Sequence, residues 1–187
     1  MPLLSAIARK RKLEYFSTHI PKNARILEIG CGDGWVGRWL KSNGYPDYVG
    51  IDLVSNVADV TGDVRAWRKL GIAPAWFDVI IAFEVIEHVD CVQDCYELLR
   101  PGGLLMLTSP LPGMDWMCRG LELLGLNQPR TSPHCNLTDF TKLPLFKRVA
   151  LITPLHLVQW GIFTKPATGQ FQPEHAPRAA DFARPAG

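Results

Sequence analysis

At 187 residues, 47% hydrophobic and 20% charged, the chain fits one globular domain with a sizeable core. Its formal net charge of +2 makes no case for a nucleic-acid partner, and no uninterrupted apolar stretch approaches the ~20 residues needed to span a bilayer. Five cysteines, odd in number and without a CxxC pair, argue against a disulfide framework and a zinc ribbon; nothing at Met1-Pro2-Leu3-Leu4 resembles a signal peptide, so a reducing cytoplasm is the expected setting.

In chain order, Leu3, Leu4, Ile7, Tyr15 and Phe16 predict an N-terminal helix with one apolar side, ending near Pro21 and expected to cap one edge of a sheet. Its basic run, Arg9-Lys10-Arg11-Lys12, reads as a solvated face, with an anionic partner as the alternative. Ile26, Leu27 and Ile29 are a short apolar run suited to a strand buried on both faces. After Gly30-Cys31-Gly32-Asp33-Gly34 a helical pattern of Val36, Trp39 and Leu40 follows, stopped at Ser42-Asn43-Gly44. Tyr48 to Leu53 predicts strand two, and Val57 to Val64 strand three, arriving without the usual intervening helix. Trp76 to Phe83 is the strongest strand pattern in the chain. A helix closes at Tyr96 to Arg100, the Pro101-Gly102-Gly103 turn follows, and Leu104 to Thr108 predicts strand five.

Beyond Pro110 the segment 109–140 holds one predicted helix, with Trp116, Met117, Leu121, Leu123 and Leu124, which is either a substrate lid or an apolar helix packed on the core. Phe146 to Thr153 and His156 to Thr164 predict a closing hairpin-like pair of strands at the sheet edge. Residues 1–165 therefore read as one domain and 166–187 as a disordered tail.

The glycine turn carries the chemistry. Glycines let the backbone turn sharply and approach a ligand, and the free N–H groups at the next helix start point at whatever lies above. Asp52, at the end of the second strand, can accept both hydroxyls of a ribose, so the two features together read as a nucleoside-cofactor site. Gly32-Asp33-Gly34-Trp35-Val36-Gly37 matches the GxGxxG of dinucleotide folds, with Asp52 at about the 20-residue distance expected there. Glu28 turns the balance to S-adenosylmethionine, because a carboxylate two residues before the first glycine would repel a pyrophosphate but suits a cationic amino-acid end. The chain also has too few residues left for a separate dehydrogenase substrate domain.

With these motifs in order over roughly residues 24–110, the sequence resembles the class I S-adenosylmethionine-dependent methyltransferases, in particular the methyltransferase type 11 and ubiquinone-pathway O-methyltransferase-like proteins. The resemblance implies an α/β fold, a Rossmann-like doubly wound sheet of about seven strands, mostly parallel with an antiparallel edge strand. It implies Glu28, Gly30 and Gly32 around the methionine portion, Asp52 on the ribose, Asp63 on the adenine amino group with Asp59 as a competitor, and Phe83 in the same cofactor site.

Glu84-Val85-Ile86-Glu87-His88 lies where functional residues of open parallel sheets gather, past a strand's carboxyl end, and makes His88 and Glu84 the candidate catalytic residues. The block is also similar to that of small-RNA 2′-O-methyltransferases, which implies a Mg²⁺ or Mn²⁺ site of Glu84, Glu87, His88 and a later histidine, here His134; a structural, cofactor-side Glu-His pair is the alternative. The acceptor expected is a small molecule or a glycan- or lipid-linked group, methylated at oxygen, with nucleic acid less favoured. A nicotinamide oxidoreductase and a non-catalytic cofactor-binding protein are the rival classes.

Overall fold

The computed structural model of the chain describes residues 3–114, 120 and 137–167. Its helices are α1 (Leu3–Ser17), α2 (Trp35–Ser42) and α3 (Val92–Leu98). Its strands are β1 (Ile26–Ile29), β2 (Tyr48–Asp52), β3 (Val60–Thr61), β4 (Phe77–Phe83), β5 (Leu99–Pro110), β6 (Lys147–Ile152) and β7 (Val158–Thr164). They form one seven-stranded sheet in the order β3-β2-β1-β4-β5-β7-β6, parallel from β3 to β5 and antiparallel at the β5–β7 and β7–β6 pairs. The expected doubly wound sheet with an antiparallel edge pair is therefore present. The single strand running against the others is β7, one position in from the edge.

Alternation along the strands divides the core into two layers. Leu27, Ile29, Ile80, Leu105 and Leu107 face α3 and the one-turn helix at Val64–Ala66. Ile26, Val79, Ile81, Met106 and Ile162 face α1 and α2, through Phe16, Val36 and Leu40. Every residue of β1 is buried, as a central parallel strand covered on both faces requires.

Three expectations are corrected. Instead of capping a sheet edge, α1 crosses the middle of the sheet: the Phe16 ring centroid lies 4.8 Å from that of Phe83 on β4 and 6.0 Å from that of Trp160 on β7. Nor is its basic run a uniformly solvated face, because Lys12 shares a helical side with Phe16 and is buried. The third strand is only two residues long, where eight were expected. Its ladder is cut short because Asp59 accepts the Gly50 N–H through its side chain at 2.8 Å, one residue before the first β2–β3 backbone pair.

The predicted helix around Trp116–Leu124 and most of the 109–140 segment lie outside the described residues, as do residues 168–187. The two stems of that segment are described, and one side chain joins them. Gln159 on β7, buried to 1% exposure, accepts the Phe140 N–H at 3.0 Å and donates to the carbonyls of Pro110 (3.2 Å) and Thr138 (2.8 Å). Replacing it by leucine strands three backbone groups in a buried site, where each unpaired group costs about 1–3 kcal/mol. Gln159→Leu should lower stability by at least about 2 kcal/mol in urea unfolding; a loss below about 0.5 kcal/mol would mean that water reaches the stems.

Candidate functional site

The turn after β1 lies between the two halves of the sheet, where the connections after β1 and β4 diverge to opposite faces. Gly30, Gly32 and Gly34 have φ of 71°, 54° and 74°, three left-handed residues within five. Two of them have different reasons to lack a side chain. A Cβ on Gly30 would lie 2.5 Å from Val85 Cγ2, so the turn after β1 packs on the turn after β4. A Cβ on Gly32 would meet nothing nearer than the Gly30 carbonyl at 4.0 Å, which leaves open space above that residue for a ligand.

Several backbone donors of the turn are already used. Gly30 N–H and Cys31 N–H bond the Ile51 carbonyl at 2.8 and 3.3 Å, Gly34 N–H bonds the Cys31 carbonyl at 2.8 Å, and Gly32 N–H bonds Asp52 Oδ2 at 2.9 Å. Asp52 Oδ1 accepts from Val54 N–H and Ser55 N–H, both at 3.1 Å. Its Oδ1 thus has both lone pairs engaged, and Oδ2 keeps one for a further donor such as a ribose hydroxyl. Ser55 Oγ donates to the Gly32 carbonyl at 2.6 Å and ties the loop after β2 to the glycine turn.

Asp63 lies past the end of β3, where it caps the turn at Val64–Ala66 and holds Arg65 through both oxygens; the guanidinium keeps its carboxyl below the usual range. Asp59 is engaged with Gly50 inside the sheet. Of the two rivals, Asp63 is the one at the strand's carboxyl end.

Glu28 on β1 stands opposite Gly50 on β2 and is buried to 3% exposure. The Tyr48 hydroxyl donates to its Oε2. Burial raises the Glu28 carboxyl to about 8, against the lowering effect of the Tyr48 bond, and the nearby charges of Asp33 and Asp52 raise it further. Cys31 is pushed up to about 11 by burial and then by Glu28 and Asp52.

At the end of β4, the half-buried Phe83 ring stacks on Trp35 at 6.4 Å, with Lys12 Nζ 5.3 Å above its centroid. Lys12 reaches Glu84 Oε1 at 2.6 Å and Thr108 Oγ1 at 3.4 Å, while Arg9 pairs with Asp33 at 2.9 Å and covers the Trp35 ring. The N-terminal helix is thereby fastened to both turns of the site. Glu84 adopts φ 60°, a sparsely populated conformation for a residue with a side chain, of the kind often held at functional sites. Glu87 is buried to 1% exposure, neither carboxyl oxygen has a hydrogen-bond partner, and the neighbouring buried Ser109 hydroxyl is equally unpartnered. Burial raises the Glu87 carboxyl to about 7. His88 is half-buried, its N–H bonded to the Val85 carbonyl at 2.8 Å.

Of the expected metal set, Glu84, Glu87 and His88 lie among the described residues. Among the described residues no three His, Cys, Asp or Glu side chains come together as a cation site, and the Glu84 carboxylate is answered by an ammonium. His134 lies outside the described residues.

Reading the sequence did not single out Tyr48 or Lys12. The signal for Lys12 was its i, i+4 spacing to Phe16. That for Tyr48 was its place on the same strand face as Gly50 and Asp52.

A sequence model of the family described as a methyltransferase domain matches residues 5–145. The ubiquinone biosynthesis O-methyltransferase of Rhizobium johnstonii is 33% identical over 129 residues, covering 58% of this chain and 52% of that protein. The malonyl-[acyl-carrier protein] O-methyltransferase of Enterobacter lignolyticus is 29% identical over 118 residues, covering 54% and 45%. The chain spans about half the length of the curated relatives it matches. Among solved structures, an S-adenosylmethionine-dependent methyltransferase from Archaeoglobus fulgidus superposes with a TM-score of 0.60 at 15% identity, over 86% of this chain and 95% of that one. The N-methyltransferase NodS from Bradyrhizobium japonicum, in complex with S-adenosyl-L-homocysteine, superposes with a TM-score of 0.58 at 16% identity, over 88% and 89%. At such identities the likeness is one of fold.

The buried Glu87 makes a direct prediction. With its carboxyl raised from 4.5 to about 7, the folded chain holds a proton across that window which the unfolded chain releases, so stability falls as pH rises through it. Glu87→Gln cannot titrate and should lose several degrees less of melting temperature than the wild type between about pH 5 and 8. Equal slopes would mean that Glu87 ionises as readily in the folded chain as in the unfolded one.

Proposed function

The chain belongs to the methyltransferase-domain family, and on that premise we propose that it is an S-adenosylmethionine-dependent methyltransferase acting on a hydroxyl of a small-molecule or glycan- or lipid-linked acceptor. The observation that carries the cofactor assignment is the electrostatic character of the glycine turn. A pyrophosphate needs free backbone N–H groups and positive charge, yet Gly30, Cys31, Gly32 and Gly34 spend their N–H groups internally, and Glu28, Asp33 and Asp52 surround the turn. A ligand bearing a sulfonium and an ammonium meets the opposite condition. The spent N–H groups and the Asp52 carboxylate disfavour a nicotinamide dinucleotide.

On this reading Glu28, Gly30 and Gly32 surround the methionine portion, and the remaining lone pair of Asp52 Oδ2 accepts a ribose hydroxyl. Asp63 meets the adenine amino group with an oxygen yielded by Arg65. Phe83, stacked on Trp35, forms the apolar wall between the cofactor and the core. When bound, the cofactor would supply an activated methyl group, its S–C bond breaking as the acceptor oxygen attacks in line and S-adenosylhomocysteine leaves as the neutral thioether. The protein's part is to align the two and accept the hydroxyl proton. His88, in the turn after β4, is our choice for that proton, while Glu84, its charge balanced by Lys12, fixes the turn. Oxygen is favoured as the acceptor atom by the O-methyltransferase relatives.

Calorimetric titration tests the reading: S-adenosylmethionine and S-adenosylhomocysteine should bind and NAD should not. Asp52→Ala should weaken both about tenfold or more, since a hydrogen bond to a charged group contributes roughly 1.5–3 kcal/mol. NAD binding, or unchanged affinity in Asp52→Ala, would contradict it. Binding with no turnover across a labelled-methyl screen of phenols, glycans and lipids would favour the non-catalytic alternative.

A further inference from the structure

We propose that Tyr48 is a positioning residue of the cofactor site: lodged in a slot made by two glycines, its phenol holds the Glu28 side chain in place and supports the carboxylate that meets the cofactor's ammonium group. The inference rests on the S-adenosylmethionine reading and extends it to a residue outside the glycine turn.

The slot is specific. Tyr48, Gly50 and Asp52 alternate along β2 and so share one face of the sheet, the face on which Glu28 projects from β1. Glu28 is paired directly with Gly50, and the absence of a side chain there lets the Tyr48 ring extend along the strand to the carboxylate. A Cβ at Gly50 would come within 2.7 Å of the Tyr48 hydroxyl oxygen. From the other side α2 closes the slot with Gly37, whose Cβ would lie 2.5 Å from Tyr48 Cζ. Gly37 completes the GxGxxG match, but what it accommodates is this ring. Three residues on two elements, Gly37, Gly50 and Tyr48, are thus fitted to one hydrogen bond, at a carboxylate two residues before the turn.

The charges around Glu28 define what the bond does. From the turn, Asp33 and the Cys31 thiol face it; from β2 and the loop beyond, Asp52, Asp59 and the Tyr48 phenol itself. Lys41 on α2 is the nearby cation, its Nζ 5.1 Å above the Tyr48 ring and 3.9 Å from Asp59. From β4 the residue paired with Glu28 is the apolar Ile81. In this mostly acidic, water-poor setting Glu28 holds its proton at neutral pH until a cation arrives. The Tyr48 O–H works against that by donating to the ionised form, and burial, then Glu28, raise the phenol's own pKa, keeping it a donor. Binding of an ammonium then expels the Glu28 proton, so affinity for ligands with the amino-acid end rises with pH below about 8, by at most about tenfold per unit.

The test compares S-adenosylhomocysteine with 5′-methylthioadenosine, which keeps the adenosine but lacks the amino-acid end, by calorimetry from pH 6 to 8 in two buffers of different ionisation enthalpy. Wild type should release protons on binding the first ligand and not the second. Tyr48→Phe, which still fills the slot, should bind S-adenosylhomocysteine at least fivefold more weakly, with its pH dependence displaced upward, and methylthioadenosine within twofold of wild type. Glu28→Gln should abolish the pH dependence, and adding Tyr48→Phe to it should cost nothing more. Equal weakening toward both ligands would make Tyr48 a packing residue only, and unchanged binding would overturn the proposal while leaving the cofactor reading intact. A wild-type chain that binds neither ligand would overturn both.

Discussion

The contact between Gly30 and Val85 is the constraint on which the site depends. Two turns leave the middle of the sheet in adjacent positions, one after β1 and one after β4, and they pack through the Val85 side chain against the bare backbone of Gly30. A β-carbon at residue 30 would force them apart, and with them the glycine turn from the residues that follow Phe83. The contact therefore sets how far the proposed cofactor subsite lies from Glu84, Glu87 and His88. It also gives residue 30 a reason to be glycine that is independent of any ligand.

Around this contact the chain concentrates carboxylates and then compensates them selectively. Asp33 receives Arg9 and Glu84 receives Lys12, both from α1, so the helix that covers the sheet also neutralises the outer acids of the site. Glu28 and Glu87 form no salt bridge among the described residues and answer burial by holding protons instead. The result is a site whose inner carboxyls can change charge when a cation enters while its outer ones stay ion-paired. This division of roles suits a ligand that carries both a permanent sulfonium and a titratable amine.

Much of this was legible in the sequence, for identifiable reasons. The strand at Phe77–Phe83 is apolar at every position but Asp78, and the glycine turn, Asp52 and the Glu84–His88 block follow strand ends in an order that only one kind of sheet explains. Legibility failed where a side chain replaces a backbone partner. Val57 to Val64 has strand-like composition, but Asp59 occupies the ladder position beside Gly50, and the pairing shrinks to Val60–Thr61. It failed again where partners are distant in sequence, as for Gln159, which joins Pro110 and Phe140, and for Lys12, whose carboxylate lies 72 residues away. Burial of a lysine has no local signature beyond the helical side it occupies, and α1 carried apolar and basic residues together.

The central claim is that the space above Gly32, bounded by Asp52 and Glu28, receives the nucleoside and amino-acid parts of S-adenosylmethionine. An amide NMR titration with S-adenosylhomocysteine addresses it most directly. The account predicts the largest shifts at Gly30, Gly32, Gly34 and Trp35 and at Leu53 and Val54 in the loop after β2, with β6 unaffected. Shifts centred elsewhere, or a glycine turn that does not respond at saturating ligand, would contradict it.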